Sequence, residues 1–367
     1  MRQHGLKVQV SPMTYANLLT GEIVEDPIRY IVESSADMGG HYDLRKIMKE
    51  CNDDIVLMFI IGARRIGKTL YLQYIMCRLW IEFGLTTMWL RNKKIEFDNA
   101  DFKSGFLNAA KRLGWCPEEW ICDREGVKTA AKEGSVVCLF EGVSTFSNRR
   151  GNEHAGTVMI VLDEMMPEDR RYPSRAHTGL MSLTKTVLSG KEGSRCFCLS
   201  NFVASGNPYF SGFRVFPDRK KDVTVFPEKG LAIEVCRGYR CAIDEASPWN
   251  RVYSAGGYSD YSDADEDLLF QLIERTPKGS KPVDIIIRVG QSHYRAYTKK
   301  GLYYWERSAI PKDIPIYTDR LEDSGTEADM IPRWLRRNLT DLAVANLLRF
   351  KDVNVMYDVL SIVYAEV

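Results

Sequence analysis

The stretch "IVLMFIIGARRIGKTLYLQYIM", residues 55–76, runs from apolar residues into Gly62, through a charged loop to Lys68 and Thr69, and on into an apolar-periodic segment. The run 55–61 predicts a buried strand, and "TLYLQYIMCRLWIEF" after Lys68 predicts a helix. Breaking a good strand with glycines and a lysine, then starting a helix at once, is how a chain builds a phosphate site. Gly62, Ala63, Arg64, Arg65, Ile66, Gly67, Lys68 and Thr69 fit G-x-x-x-x-G-K-[ST], the P-loop pattern, in the strand–loop–helix context it requires. Gly62 and Gly67 are expected to let the backbone turn so that its N–H groups face phosphate oxygens. The helix start adds its positive end. Lys68 would reach the β- and γ-phosphates and the Thr69 hydroxyl would ligate a metal, so the expected cofactors are ATP and Mg²⁺.

Hydrolysis also needs a carboxylate for the metal and a base for water. "VMIVLDEMM" offers both: Asp163 at the end of a β-branched run as the Walker B aspartate, and Glu164 to polarise the attacking water. A glutamate directly after that aspartate, with a further strand between P-loop and Walker B, marks the additional-strand, catalytic-glutamate division of P-loop ATPases (ASCE). The expected intervening strand is "TTMWLR", residues 86–91. "RCFCLSN" predicts another buried strand, ending at Asn201. An asparagine there can sense the water or the γ-phosphate, or simply cap a turn. Arg91 ends its strand on the sheet edge where ligands bind in open α/β sheets, and reads as a contact to Glu164 or phosphate, or as a surface charge.

The alternation of strands and helices predicts an α/β domain with a mostly parallel sheet. "SAGGYSDYSDADED" at 254–267 reads as linker. Beyond it, "VDIIIRV", "SHYRAYT" and "GLYYWER" predict an antiparallel meander, followed by helices over 331–349 and 352–364, hence a smaller α+β domain. The organisation expected is an N-terminal extension (1–45), a P-loop ATPase domain (46–240), a linker (241–280) and a C-terminal domain (281–367).

The chain's 367 residues are 45% hydrophobic and 27% charged, enough for a sizeable core. Net charge is +1, too little for a passive nucleic-acid coat, so nucleic-acid contact should be confined to a few loops. Nine cysteines form no C-x-x-C pair and five histidines have no metal-ligand spacing, which fits a reducing compartment. "MRQHGLKVQVSP" has no apolar signal-peptide region and no run approaches membrane-spanning length.

"IGARRIGKT", "MWLRNKK", "VLDEMMPED" and "SRCFCLSNFVASGNPYF", in this order and spacing, resemble the DNA-packaging ATPases (encapsidation proteins) of phi29-like small tailed phages, over about residues 45–215. The resemblance implies a homo-oligomeric ring, typically a pentamer, docked on the portal of an empty prohead and driving double-stranded DNA inward. It would work in the host cytoplasm, be absent from the mature virion, touch no membrane, and sometimes act with a packaging RNA. It implies a degenerate ribonuclease-H-like C-terminal domain. It casts Arg91 as the residue that holds Glu164 inactive until DNA is gripped, and Lys94 as acting on the neighbouring subunit. The family's arginine-finger position falls on Ser189, which has no charge. Lys191 on the exposed "SGKEG" turn is then the first candidate for the trans-acting cation; Arg195, the second, begins a strand, where its charge can be spent locally. A motor that moves any sequence should touch phosphates rather than base edges. "SNRRGNEHAG" and "PEDRRYPSR" supply Arg149, Arg150, Arg170 and Arg171 for this, Arg149 and Arg150 where the family carries basic pore-loop residues. Solvated loop charges are the plainer reading of all four, as a solvated helix face is for Arg333, Arg336 and Arg337.

Ribonuclease-H-type cleavage would need carboxylates converging on two metals, one of them central in the first strand. Here that strand is "DIIIRVG", apolar at its centre, with Asp284 only at its start and then Arg288, which predicts a scaffold without cleavage chemistry. Two other classes remain open: another DNA-dependent P-loop ATPase of helicase or partition type, and a nucleotide-holding assembly protein without turnover.

Overall fold

The computed structural model describes residues 14–36, 38, 40–129, 134–144, 156–167, 171–173, 176–201, 206–239, 270–310, 313–319 and 328–364. The expected linker stretch 254–267 and the loop arginines Arg149, Arg150 and Arg170 lie outside them.

The apolar run 57–62 is buried at every position, as are 157–162, 195–200 and 231–236. Strands buried on both faces belong in the middle of a parallel sheet covered by helices. They do so here, in a nine-stranded sheet whose order is 223–226, 231–236, 57–62, 195–200, 157–162, 86–91, 136–142, 126–128, 121–122. Its six central strands are parallel, and the edges are antiparallel. The order corrects one expectation. The strand inserted between the P-loop strand and the Walker B strand is Arg195–Ser200, and Thr86–Arg91 lies on the far side of the Walker B strand. Sequence order alone cannot give this, because each parallel connection is a crossover that can skip strands. From 57–62 the chain crosses to one side of the sheet, and from 195–200 it returns to the other. The carboxyl ends of these neighbours therefore form the topological switch point, where open α/β sheets bind ligands.

The helix Lys68–Phe83 covers one face, and Gly84 (φ 64°) in the left-handed region ends it by bonding Trp80 O at 2.9 Å. The segment preceding residue 46 is more than an extension. Ile28, Ile31, Val32, Tyr42 and Leu44 are buried in the same apolar cluster as Ile60, Leu72 and Trp89. The expected boundary at 45 thus cuts through a continuous core.

The meander forms as Lys281–Val289, Ser292–Lys299 and Leu302–Arg307, with Lys300 (φ 51°) and Gly301 (φ 79°) making its second turn. Parallel strands extend it on both sides to six. One of these corrects the reading of 331–349 as a single helix. The helix Arg333–Val344 stops, Asn346 turns left-handed (φ 56°), and Leu348–Phe350 pairs in parallel with Tyr303–Trp305. The last helix, Val353–Val363, packs on the helix Pro208–Phe213 that follows the parallel sheet's strand 195–200. Arg214 pairs with Asp358 at 2.8 Å, and Tyr364 OH donates to Gly206 O at 2.8 Å.

Candidate active site

At the switch point the loop 62–67 leaves its strand. Gly67 adopts φ 99°, as expected for a residue that must turn left-handed, and Arg65 (φ 62°) does so with a side chain. Gly62 is needed for a different reason from the one expected. A Cβ there would lie 2.6 Å from Cys236 Cβ and 2.9 Å from Ile66 Cδ1, so glycine makes room between strands. Ile66 is buried and its carbonyl accepts from Tyr42 N at 2.7 Å, anchoring the loop to the N-terminal segment.

Lys68 is 6% exposed, and its Nζ donates to Gly62 O (2.8 Å), Ala63 O (2.6 Å) and Asn201 Oδ1 (3.4 Å). Burial pushes its pKa down to about 8. Thr69 Oγ1 donates to Asp163 Oδ1 at 3.3 Å. Arg91 holds Asp163 Oδ2 at 3.1 Å and also pairs with the Glu164 carboxylate, which is 54% exposed. Arg64, Lys68, Thr69, Arg91, Asp163, Glu164 and Asn201 line one cavity of about 440 Å³. Four segments far apart in sequence thus converge on one space. A hydroxyl and a carboxylate in contact beside a buried ammonium are the donor set that P-loop sites use for a magnesium-bound triphosphate, so the residues fit ATP and Mg²⁺.

Glu164 sits at φ 53°, a conformation that costs a non-glycine residue on the order of 1–3 kcal/mol and persists only where neighbours enforce it. Its carbonyl accepts from Asn92 Nδ2 at 2.9 Å, and Asn92 Oδ1 accepts from Tyr209 OH at 2.8 Å. Neither residue was singled out from sequence. Asn92 follows Arg91 in "LRNKK", and nothing in spacing or charge distinguishes it from an ordinary strand-end asparagine.

The first trans-acting candidate stands differently from expectation. Lys191 is half-buried rather than exposed, and donates to Thr157 O at 2.9 Å. Thr157 begins the Walker B strand, so Lys191 lies at the opposite sheet edge from Asp163. Arg195 is 1% exposed, paired with Asp26 at 2.6 Å and donating to Gly193 O at 2.9 Å. That guanidinium is consumed inside its own chain. Lys94 pairs with Glu125 at 3.0 Å and Glu141 at 3.5 Å. Ser189 is exposed, and so is Arg171 beyond the Walker B strand.

The sequence model of a family described as "Podovirus DNA encapsidation protein (Gp16)" matches residues 37–347. The chain is 25% identical over 316 residues to the DNA packaging protein of Bacillus phage phi29, covering 81% of this chain and 90% of that one. In structure it is similar to the Phi-28 gp11 DNA packaging motor, with a TM-score of 0.63 at 14% identity, covering 88% of this chain and 97% of the other. It is also similar to the bacteriophage Phi-29 viral genome packaging motor assembly, with a TM-score of 0.56 at 23% identity, covering 88% and 99%.

Proposed function

We propose that this chain, which belongs to the Podovirus DNA encapsidation protein (Gp16) family, hydrolyses ATP to drive double-stranded viral DNA into a preformed prohead. The observation that carries the reading is the convergence of Lys68, Thr69, Arg91, Asp163 and Glu164 on one cavity in a chain of that family. Lys68 would exchange its loop carbonyls for phosphate oxygens, balancing their charge. Thr69 and Asp163 would hold Mg²⁺, which supplies neutralisation of charge on the β- and γ-phosphate oxygens. Glu164 would take the proton of the attacking water, and Asn201 would orient that water or the γ-phosphate. Arg91 pairs with Glu164 in the present arrangement, so the base is engaged until Arg91 lets go; this supports its role as a restraint released when DNA is gripped.

The motor would work as a homo-oligomeric ring, a pentamer by family resemblance, on the prohead portal in the host cytoplasm, with a packaging RNA as a further partner. Arg149, Arg150, Arg170 and Arg171 would meet DNA phosphates. Lys191, Arg195 and Lys94 have partners within the chain, so a cation serving a neighbour's site must first leave them.

Glu164→Gln tests the reading. An amide cannot act as the base while Asp163 still holds the metal, so ATP-Mg²⁺ affinity should stay within about twofold. Single-turnover hydrolysis should fall by about 10²-fold or more, within the range general-base catalysis supplies. A wild-type rate in the variant would remove Glu164 from the chemistry. If the unaltered protein binds ATP and shows no turnover with duplex DNA and proheads, the chain is a nucleotide-holding assembly protein instead.

A further inference from the structure

The strained backbone of Glu164 has its own clamp. Asn92 is 2% exposed, and its Nδ2 donates to Glu164 O at 2.9 Å and to Met165 O at 3.2 Å. The phenol of Tyr209, also buried, donates to Asn92 Oδ1 at 2.8 Å. The two carbonyl oxygens fix the amide's orientation: turned the other way, Oδ1 would face both with no hydrogen between them. The Tyr209 phenol then satisfies Oδ1 and holds the amide from behind.

Tyr209 belongs to the helix Pro208–Phe213, which is held at both ends. Asn207 caps its start by accepting from Phe210 N at 2.9 Å. Arg214 (φ 53°) closes it and pairs with Asp358 Oδ1 at 2.8 Å. Asp358 stands on the last helix of the C-terminal domain, and its other oxygen accepts from the buried Tyr294 hydroxyl. One short helix therefore touches the Glu164 clamp on one side and the C-terminal domain on the other.

We propose that Asn92 and Tyr209 are positioning residues that hold the Glu164 backbone in its left-handed conformation, and that the helix Pro208–Phe213 makes this clamp sensitive to how the C-terminal domain is seated at Arg214–Asp358. The proposal rests on the reading that Glu164 serves hydrolysis. A domain shifted by DNA or by the portal would then alter the base without touching nucleotide. The clamp acts on backbone and not on phosphate, so its loss should appear in kcat and not in nucleotide affinity.

The test uses the full chain with Asn92→Ala and Tyr209→Phe, the second deleting one hydroxyl only. Each should lower kcat at least about fivefold while the affinity for a fluorescent ATP analogue changes less than twofold. In a Glu164→Gln background neither should lower the residual single-turnover rate further, because both act through that residue. Asp358→Asn should lower kcat in the same direction, and combined with Tyr209→Phe it should give less than the product of the separate losses. Hydrogen exchange provides a readout independent of turnover: the peptide containing Glu164 and Met165 should exchange faster in both clamp variants. Wild-type kcat with unchanged exchange in either folded variant overturns the clamp, as does a loss of kcat that persists undiminished in the Glu164→Gln background. A product-sized combined loss overturns the link to the C-terminal domain. An unaltered protein without turnover whose clamp variants still exchange faster would fail the hydrolysis reading and leave the clamp standing.

Discussion

Lys68 shows how a single buried charge sets a measurable pH dependence. Burial lowers its pKa from 10.5 to about 8 in the folded chain. A depressed lysine costs stability while it is charged, so its stabilising share is complete above pH 10.5 and is lost as pH falls through about 8. Triphosphate reverses the preference by rewarding the charged form. Above pH 8 binding must therefore take up a proton, and affinity should fall by up to about tenfold per pH unit. ATP-Mg²⁺ titrations between pH 7 and 9.5 should show this decline in the unaltered protein. Lys68→Ala should bind weakly with a flatter profile, and an equal slope in the two proteins would detach the effect from Lys68. The lysine was legible because its motif fixes chemistry and spacing together. The left-handed turn at Glu164 was not, since no residue preference betrays a glutamate forced to positive φ by its neighbours. Gly62 was legible as a glycine but not for its reason, because Cys236 lies 174 positions away in sequence and meets it only across the sheet.

Fully apolar runs gave the parallel strands their places in the chain but not in the sheet. Each such run fits any central slot, so Arg195–Ser200 could not be recognised as the strand beside the P-loop. The same limit hid Leu348–Phe350, too short for periodicity to separate from the helix before it; Asn346, a residue type that accepts the left-handed helix end, was the available signal. Arg195, the second trans-acting candidate, is engaged by element packing. It joins the start of its strand to Asp26, the N-cap of the helix Pro27–Ser34, and both partners are largely buried. Removing one member of a buried pair costs about 3–5 kcal/mol when the other is left uncompensated; here Asp26 keeps Arg29 Nε at 3.6 Å, which reduces the loss. Arg195→Ala should therefore lower the urea midpoint by an amount corresponding to about 1–3 kcal/mol. The folded fraction should keep its ATP affinity, because the pair sits at the sheet edge away from Asp163. Unchanged stability with lost turnover would instead return Arg195 to a role at a neighbour's site.

The two larger sheets were readable because turn chemistry separates a meander from an alternating α/β pattern, whereas the contacts between them were not. Arg214 and Gly206 meet Asp358 and Tyr364 across well over a hundred residues of sequence, and no periodicity marks them. The N-terminal boundary failed for a related reason: sparse apolar residues such as Ile28 and Tyr42 look unpatterned until the P-loop core they complete is in place. In the C-terminal domain, two-metal cleavage would require carboxylates free to converge on metals. Asp284 is 82% exposed and paired with Arg295 at 2.9 Å, while both oxygens of Asp358 are engaged by Arg214 and Tyr294. Arg288, further along the first strand, brings positive charge toward the same sheet and donates to Gly290 O at 3.0 Å. Each of these opposes a bound divalent cation. Supercoiled plasmid incubated with the full chain and Mn²⁺ or Mg²⁺ should therefore remain supercoiled, with Asp284→Ala indistinguishable from the unaltered protein. Nicking that disappears in Asp284→Ala would mean that the exposed carboxylate leaves Arg295 for a metal. The first strand would then carry a metal-binding carboxylate, and the reading of a scaffold without cleavage chemistry would fall.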